Sequence, residues 1–318
     1  MNVRRRHISG IALAAATTVG IGTLSACSSD SAAAGNTDKF DVVASFYPMQ
    51  YLAERIGGDH VNVTTLTKPG QEPHDLEISA KQTAQLQEAD AVLYLKGLQP
   101  AVDEAVAQSG VGNTIDAATL TKLEDHGDVE HAHEGEEASA EKEEHARDPH
   151  VWLDPVKYAE VAKGVAAAFE KADPDHAADY AKNAEALTGK LDALDSRFED
   201  GLKNTGTKVF FTNHAAFGYL AERYGLTQEA ITGLDPESEP SPARIRELHQ
   251  EAKADGVTTV FYETLVSDKT ARTLARDAGL RTAVLDPLEG ITDRSAGDDY
   301  LQVMNSNLKA LEAALGAK

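Results

Sequence analysis

Cysteine is almost absent from this chain: 318 residues carry one, Cys27. That excludes an internal disulfide framework and any structural zinc site built on thiolates. Basic residues are also scarce, with 30 Lys and Arg against 52 Asp and Glu and a formal charge of −22. A general nucleic-acid binder needs the opposite sign on its surface, so no nucleic acid is expected as a partner. An acidic surface suits cations. Long apolar runs are missing too. Familiar catalytic signatures are equally absent: no G-x-S-x-G, no P-loop, no G-x-G-x-x-G after a strand, and no H-E-x-x-H, since His133-Glu134 is followed by Gly-Glu-Glu. That lowers the expectation of a hydrolase.

What is present begins with a leader. Arg4, Arg5 and Arg6 precede an apolar run from Ile8 to Thr23, then Leu24-Ser25-Ala26-Cys27. A basic start, a short apolar centre and small residues before a cut read as a secretory signal over 1–26. The run contains Gly and Thr and is too short for a comfortable membrane span. Leu-Ser-Ala-Cys resembles the lipobox of bacterial lipoproteins, which implies a lipidated Cys27 anchored to the outer face of the cell membrane. Residues 27–38, rich in Ser, Ala and Gly, read as the lipidated cysteine and a flexible tether.

Apolar residues make up 42% of the chain, enough for a core. Length alone fits one large domain or two of ordinary size. Strand-like runs at Phe40–Phe46, Val61–Leu66, Ala91–Leu95, Lys208–Thr212, Val257–Tyr262 and Thr282–Leu285 alternate with amphipathic stretches such as Met49–Ile56 and Pro242–Ala254. Ser241 reads as the N-cap of the latter, with Pro242 at its first helical position. This alternation predicts α/β architecture with parallel sheets.

Two features divide the chain. Glu124–Asp148 holds eleven acids and four histidines (His126, His131, His133, His145) against Lys142 and Arg147, and reads as a solvated, disordered loop. From Asp154-Pro155 a strand-free helical region then runs to about Asn204. Within it Leu187, Leu191, Leu194, Phe198 and Leu202 form one apolar stripe, and Asp173-Pro174 marks a break. The expectation is two α/β lobes, 39–154 and 205–318, linked by a long helix within 155–204.

Of the eleven histidines, His7 lies in the leader, and His60, His176 and His249 read as surface residues. His74 follows Glu72-Pro73 in a turn-rich segment after the strand Val61–Leu66. His150 sits in Asp148-Pro149-His150-Val151-Trp152-Leu153-Asp154-Pro155. His214 follows the strand Lys208–Thr212, and Asp286 follows Thr282–Leu285 before Pro287. Each reads as lying at or near a strand's C-terminal end, where open α/β sheets place ligands. Three imidazoles and one carboxylate would suit Zn²⁺ in a tetrahedral site. Each histidine alone reads better as a satisfied turn residue, and for the four together spacing does not choose.

Together, Glu72-Pro73-His74, His150-Val151-Trp152-Leu153-Asp154-Pro155, Asn213-His214-Ala215-Ala216-Phe217-Gly218-Tyr219-Leu220 and Leu285-Asp286-Pro287-Leu288-Glu289-Gly290 resemble the metal-binding solute-binding proteins of ABC transporters, specifically the ZnuA-like zinc lipoproteins. Glu239-Pro240-Ser241, Phe261-Tyr262-Glu263 and Asp299-Tyr300-Leu301 fit as well. The resemblance runs from about Asp38 to the C-terminus.

It implies two pseudo-symmetric lobes, a rigid backbone helix and one metal in the cleft. Its partners would be an ABC permease, the ATPase subunit of that permease and the membrane, and the protein would work as a monomer. His74, His150 and His214 would be ligands. The fourth position varies in the family: Asp286 matches the aspartate of many relatives, while some zinc members use water or a nearby glutamate, for which Glu72 is the local candidate. Glu263 would orient a ligand or bridge the lobes. Manganese-type relatives tend to carry glutamate where this chain has His214, so the third imidazole favours zinc, with manganese or another divalent metal behind it. A surface zinc buffer or adhesin is the other alternative. With four protein ligands no position remains for a catalytic water, which argues for binding and not catalysis. The acidic loop would bind metal weakly.

Overall fold

The computed structural model describes residues 39–126 and 147–317. The leader, Cys27, the tether, and His131, His133 and His145 lie outside these residues.

The first lobe runs β1 (Phe40–Ala44), α1 (Tyr47–Gly57), β2 (Val61–Thr65), α2 (Ala80–Glu88), β3 (Ala91–Tyr94), α3 (Pro100–Ser109) and β4 (Asn113–Asp116). Its strands are all parallel, in the order β2-β1-β3-β4, with Val42 of β1 paired to Val63 on one side and Ala91 on the other. Two helices follow, α4 (Pro155–Ala172) and α5 (Ala177–Leu202). The second lobe runs β5 (Val209–Thr212), α6 (Gly218–Arg223), β6 (Thr227–Ala230), α7 (Pro242–Ala254), β7 (Thr259–Tyr262), α8 (Lys269–Ala278) and β8 (Arg281–Val284), closed by α9 (Tyr300–Leu315). Its sheet has the order β6-β5-β7-β8, again parallel, so it repeats the first lobe's winding strand for strand. The two pseudo-symmetric parallel α/β lobes expected from the sequence are present.

Strand composition follows position. The central strands β1, β3, β5 and β7 read FDVVA, AVLY, VFFT and TVFY, the apolar runs of strands covered on both faces. The edge strands β4 and β6 read NTID and TQEA and were not anticipated. Most of their residues are exposed or half-buried, so neither carries an apolar run.

The linking region is a helix pair. Asp154 caps α4, accepting from the backbone N–H of Val156 at 2.8 Å, and Pro155 occupies the first turn. The chain breaks at Asp173-Pro174, as expected, and returns as α5. With 26 residues α5 spans roughly 39 Å. Near its start Asn183 donates to the Ile56 carbonyl of the first lobe. Near its end Arg197 donates to Asn305, and Phe198 stacks on Tyr224 of the second lobe at 5.1 Å. The predicted stripe of Leu187, Leu191, Leu194, Phe198 and Leu202 is buried.

Trp152 joins the lobes at the core. Its indole N–H donates to the Pro287 carbonyl at 2.7 Å, while its own carbonyl accepts from the Tyr300 hydroxyl at 2.6 Å. Among the described residues no helix is long and apolar enough to cross a membrane.

Candidate metal centre

In both lobes the strand order reverses between the two central strands, which in an open α/β sheet opens a crevice at their C-terminal ends. In the second lobe β5 and β7 flank that point. His214 lies two residues past β5 and Glu263 one residue past β7, and Glu263 Oε1 stands 2.7 Å from His214 Nδ1. The same carboxylate oxygen accepts from Asn213 Nδ2 at 3.0 Å. On the first-lobe side the segment before α4 holds His150, whose Nδ1 lies 2.7 Å from Asp148 Oδ1. Its backbone N–H donates to the same oxygen at 2.9 Å. In each case an Nδ1–H donates to a buried carboxylate, which fixes the tautomer and leaves Nε2 with its lone pair facing the cleft.

His74 arrives on the turn after β2. Glu72 builds that turn: its two oxygens accept from the backbone N–H groups of His74 at 3.0 Å and Asp75 at 3.2 Å. The carboxylate is thereby committed to the backbone, and Glu72 does not join the histidines.

The fourth group is Glu289, which the sequence reading did not single out. The Nε2 atoms of His74, His150 and His214 stand 3.2, 3.3 and 3.4 Å from Glu289 Oε1. One ligand atom from each of the four residues lies within 4.8 Å of every other. Bonds of 2.0–2.1 Å from a central zinc give a tetrahedral edge of roughly 3.3 Å, so these three separations are those of a coordination shell. His150 Nε2, His214 Nε2 and Glu289 Oε2 are buried with no hydrogen-bond partner in line. Buried polar atoms left unpaired in this way are costly unless something between them supplies the bond.

Asp286 takes a different part from the one expected. Its backbone N–H and C=O are both held by the Asn307 side chain, at 3.0 and 2.7 Å. Its Oδ1 accepts from the Leu288 N–H at 2.9 Å, and its Oδ2 faces Thr264 Oγ1 at 3.3 Å. It is a turn-former. Leu288 has φ +60°, the only non-glycine with positive φ among the described residues, and a left-handed leucine costs roughly 1–2 kcal/mol. The Asp286 bond to the Leu288 N–H spans that turn, and Glu289 follows directly after it. The motif was in view; the left-handed turn inside it was not.

The electrostatics follow from burial. His150 and His214 are each shut away from solvent, which by itself opposes a charge on the rings. The facing Asp148 and Glu263, with Glu289, outweigh it and raise both pKa values, that of His214 strongly. Burial opposes charge on Glu289 as well, but three imidazoles hold it well below the usual carboxylate range. Burial pushes Asp286 up to about 6. The site is an anion that accepts either protons or a metal.

Elsewhere, His60 and His176, expected on the surface, stack on each other at 4.0 Å and pair with Asp179 and Asp173. His126, read as part of the loose acidic loop, is packed against the second lobe.

A family model described as zinc-uptake complex component A, periplasmic, matches residues 42–314. The chain belongs to that family. It is 38% identical over 299 residues to the zinc-binding lipoprotein AdcA of Streptococcus pneumoniae, covering 91% of this chain and 58% of that protein. To the high-affinity zinc uptake system protein ZnuA of Bacillus subtilis it is 35% identical over 312 residues, covering 94% of this chain and 98% of that one. The Zn(II)-bound structure of the pneumococcal AdcA superposes with a TM-score of 0.72 at 36% identity, over 87% of this chain and 58% of that chain. The family member described here thus spans 58% of the length of the first curated relative it matches.

Proposed function

We propose that this chain is the solute-binding component of a zinc ABC importer, capturing one Zn²⁺ between its lobes and delivering it to a membrane permease worked by an ATPase subunit. The observation that carries the reading is the convergence of three imidazole Nε2 atoms on one buried carboxylate oxygen at 3.2–3.4 Å. His74, His150, His214 and Glu289 would be the ligands, with Asp148 and Glu263 orienting two of them. Three nitrogens and one oxygen in a tetrahedral arrangement suit Zn²⁺ better than Mn²⁺, which favours more oxygen ligands. Four protein donors leave no open position for water, so the site is built to hold and release the ion, not to hydrolyse with it.

The printed names of the relatives, a zinc-binding lipoprotein and a zinc uptake protein, support the same reading. The leader and Cys27 would tether the protein, as a monomer, to the outer face of the cell membrane.

A competitive Zn²⁺/Mn²⁺ titration of the metal-stripped protein tests this. One tight zinc that excess manganese does not displace is the expected result. Equal manganese affinity would make the protein a broader divalent-metal component, and no tight ion would overturn the reading. Deletion of the gene should slow growth under zinc chelation, with rescue by added zinc; an unchanged growth curve would point to a buffer or adhesin.

A further inference from the structure

Asp148 has two oxygens and only one serves His150. Its Oδ2 stands 3.0 Å from His126 Nδ1, and His126 Nε2 stands 2.8 Å from Glu222 Oε2 on α6 of the second lobe. An unbroken chain therefore runs Glu222–His126–Asp148–His150, from the far lobe into the cleft. Only an imidazolium donates at both nitrogens, so a carboxylate at each favours the charged ring. Burial opposes that charge, and the carboxylates of Asp148 and Glu222 outweigh it.

The second lobe is shaped to receive this ring. A Cβ at Gly218, the first residue of α6, would lie 2.4 Å from His126 Cβ and 2.9 Å from Asp148 Oδ2, so only glycine leaves the space the imidazole fills. Tyr219 closes the other side. Its ring meets the His126 ring edge-on at 4.4 Å, and its hydroxyl donates to the Asp148 carbonyl at 2.8 Å while accepting from the Glu124 N–H at 2.7 Å. Asp148 itself is fully buried.

We propose that His126 is a positioning residue for the cleft: it locks Asp148, and through it the His150 ring, against the second lobe, so that release of the bound ion requires this latch to open. The inference rests on the zinc-binding reading above. It separates His126 from the acidic loop that follows it in sequence. Glu124, His126 and Glu222 also lie close enough to gather a cation. However, the Lys157 ammonium sits 3.1 Å from Glu124 Oε1, and both ring nitrogens already face carboxylates.

The test is the rate of zinc release into excess chelator from the full zinc-loaded protein, with the stoichiometry of tight zinc measured alongside. His126→Ala should release zinc ~10-fold faster, the scale on which partners behind a metal-bound histidine act. Glu222→Gln, an exposed change that leaves the core intact, should accelerate release in the same direction by less. Asp148→Asn should release faster still, and adding His126→Ala to it should change nothing further, since both act through one link. Deleting residues 128–144 should leave the rate unchanged. The latch is overturned if His126→Ala releases zinc at the wild-type rate, if its effect adds in full to that of Asp148→Asn, or if it removes a second zinc equivalent and not the hold on the first. Wild-type protein that retains no tight zinc would defeat the zinc reading itself, a result that the variants cannot mimic.

Discussion

At the scale of single residues, the proposed site separates groups that would touch the ion from groups that would aim them. Glu289→Gln removes the carboxylate that, among the described residues, stands against all three imidazoles, and should weaken zinc binding on the order of 100-fold, about 2.7 kcal/mol. Asp286→Asn keeps an oxygen for the Leu288 N–H, so its affinity should stay within about 3-fold of wild type. If calorimetry gave Asp286→Asn the larger loss, Asp286 and not Glu289 would be the ligand. Protons compete with the metal for the same Nε2 atoms. Because the metal-free pKa values of His150 and His214 are raised, that competition begins above the ordinary imidazole range, and zinc affinity should fall as pH drops through it. The sign for the empty protein is the reverse. Raised imidazole pKa values contribute stability that is present below the unfolded value and lost as pH rises through the folded one. The gap in Tm between zinc-loaded and stripped protein should therefore widen from pH 6 to pH 8. A gap that narrowed would refute this account of the site's charge.

At the scale of elements, much could be read from sequence because local chemistry and tertiary role agree. Ser241-Pro242 starts α7 where capping predicts, with Ser241 Oγ accepting from Arg244 N–H at 3.0 Å. The central strands announce themselves as apolar runs. The edge strands β4 and β6 do not, because what makes them strands is a neighbour's ladder and not their own composition. His74, His150 and His214 stood out as candidates because each follows a strand, proline or turn, but their own spacing did not make them ligands; the motifs shared with the family did. Glu289 could not be found, since its direction follows from a left-handed leucine bonded to Asp286 two residues earlier, and Asp286 is itself held by Asn307, 21 residues further on. Helix α5 carries a further prediction. Phe198 is fully buried and stacks on Tyr224, so Phe198→Ala should cost about 3–5 kcal/mol in urea unfolding. Zinc stoichiometry in the folded fraction should remain one. Loss of the tight site at full helicity would mean that α5 shapes the cleft as well as spanning the lobes.

For the whole molecule, the formal charge of −22 means that a cation, zinc in the reading proposed above, would approach a strongly acidic body. The zinc association rate should fall as ionic strength rises, because the Debye length shrinks from ~10 Å at 0.1 M salt to ~3 Å at 1 M. Stopped-flow association with no salt dependence would place the captured ion's path away from the acidic surface. The duplicated winding of the two sheets gives each lobe a crevice at the same point, so one ion can be shared between them. The His150 segment also meets the Glu289 turn through Trp152, whose ring lies 5.2 Å from the His150 ring and whose indole N–H holds the Pro287 carbonyl. This is the one tryptophan in the sequence. The protein therefore contains its own optical probe: the whole indole emission comes from the joint between the lobes. Ultraviolet fluorescence can report any rearrangement at that joint in unlabelled protein, with no second indole to dilute the signal.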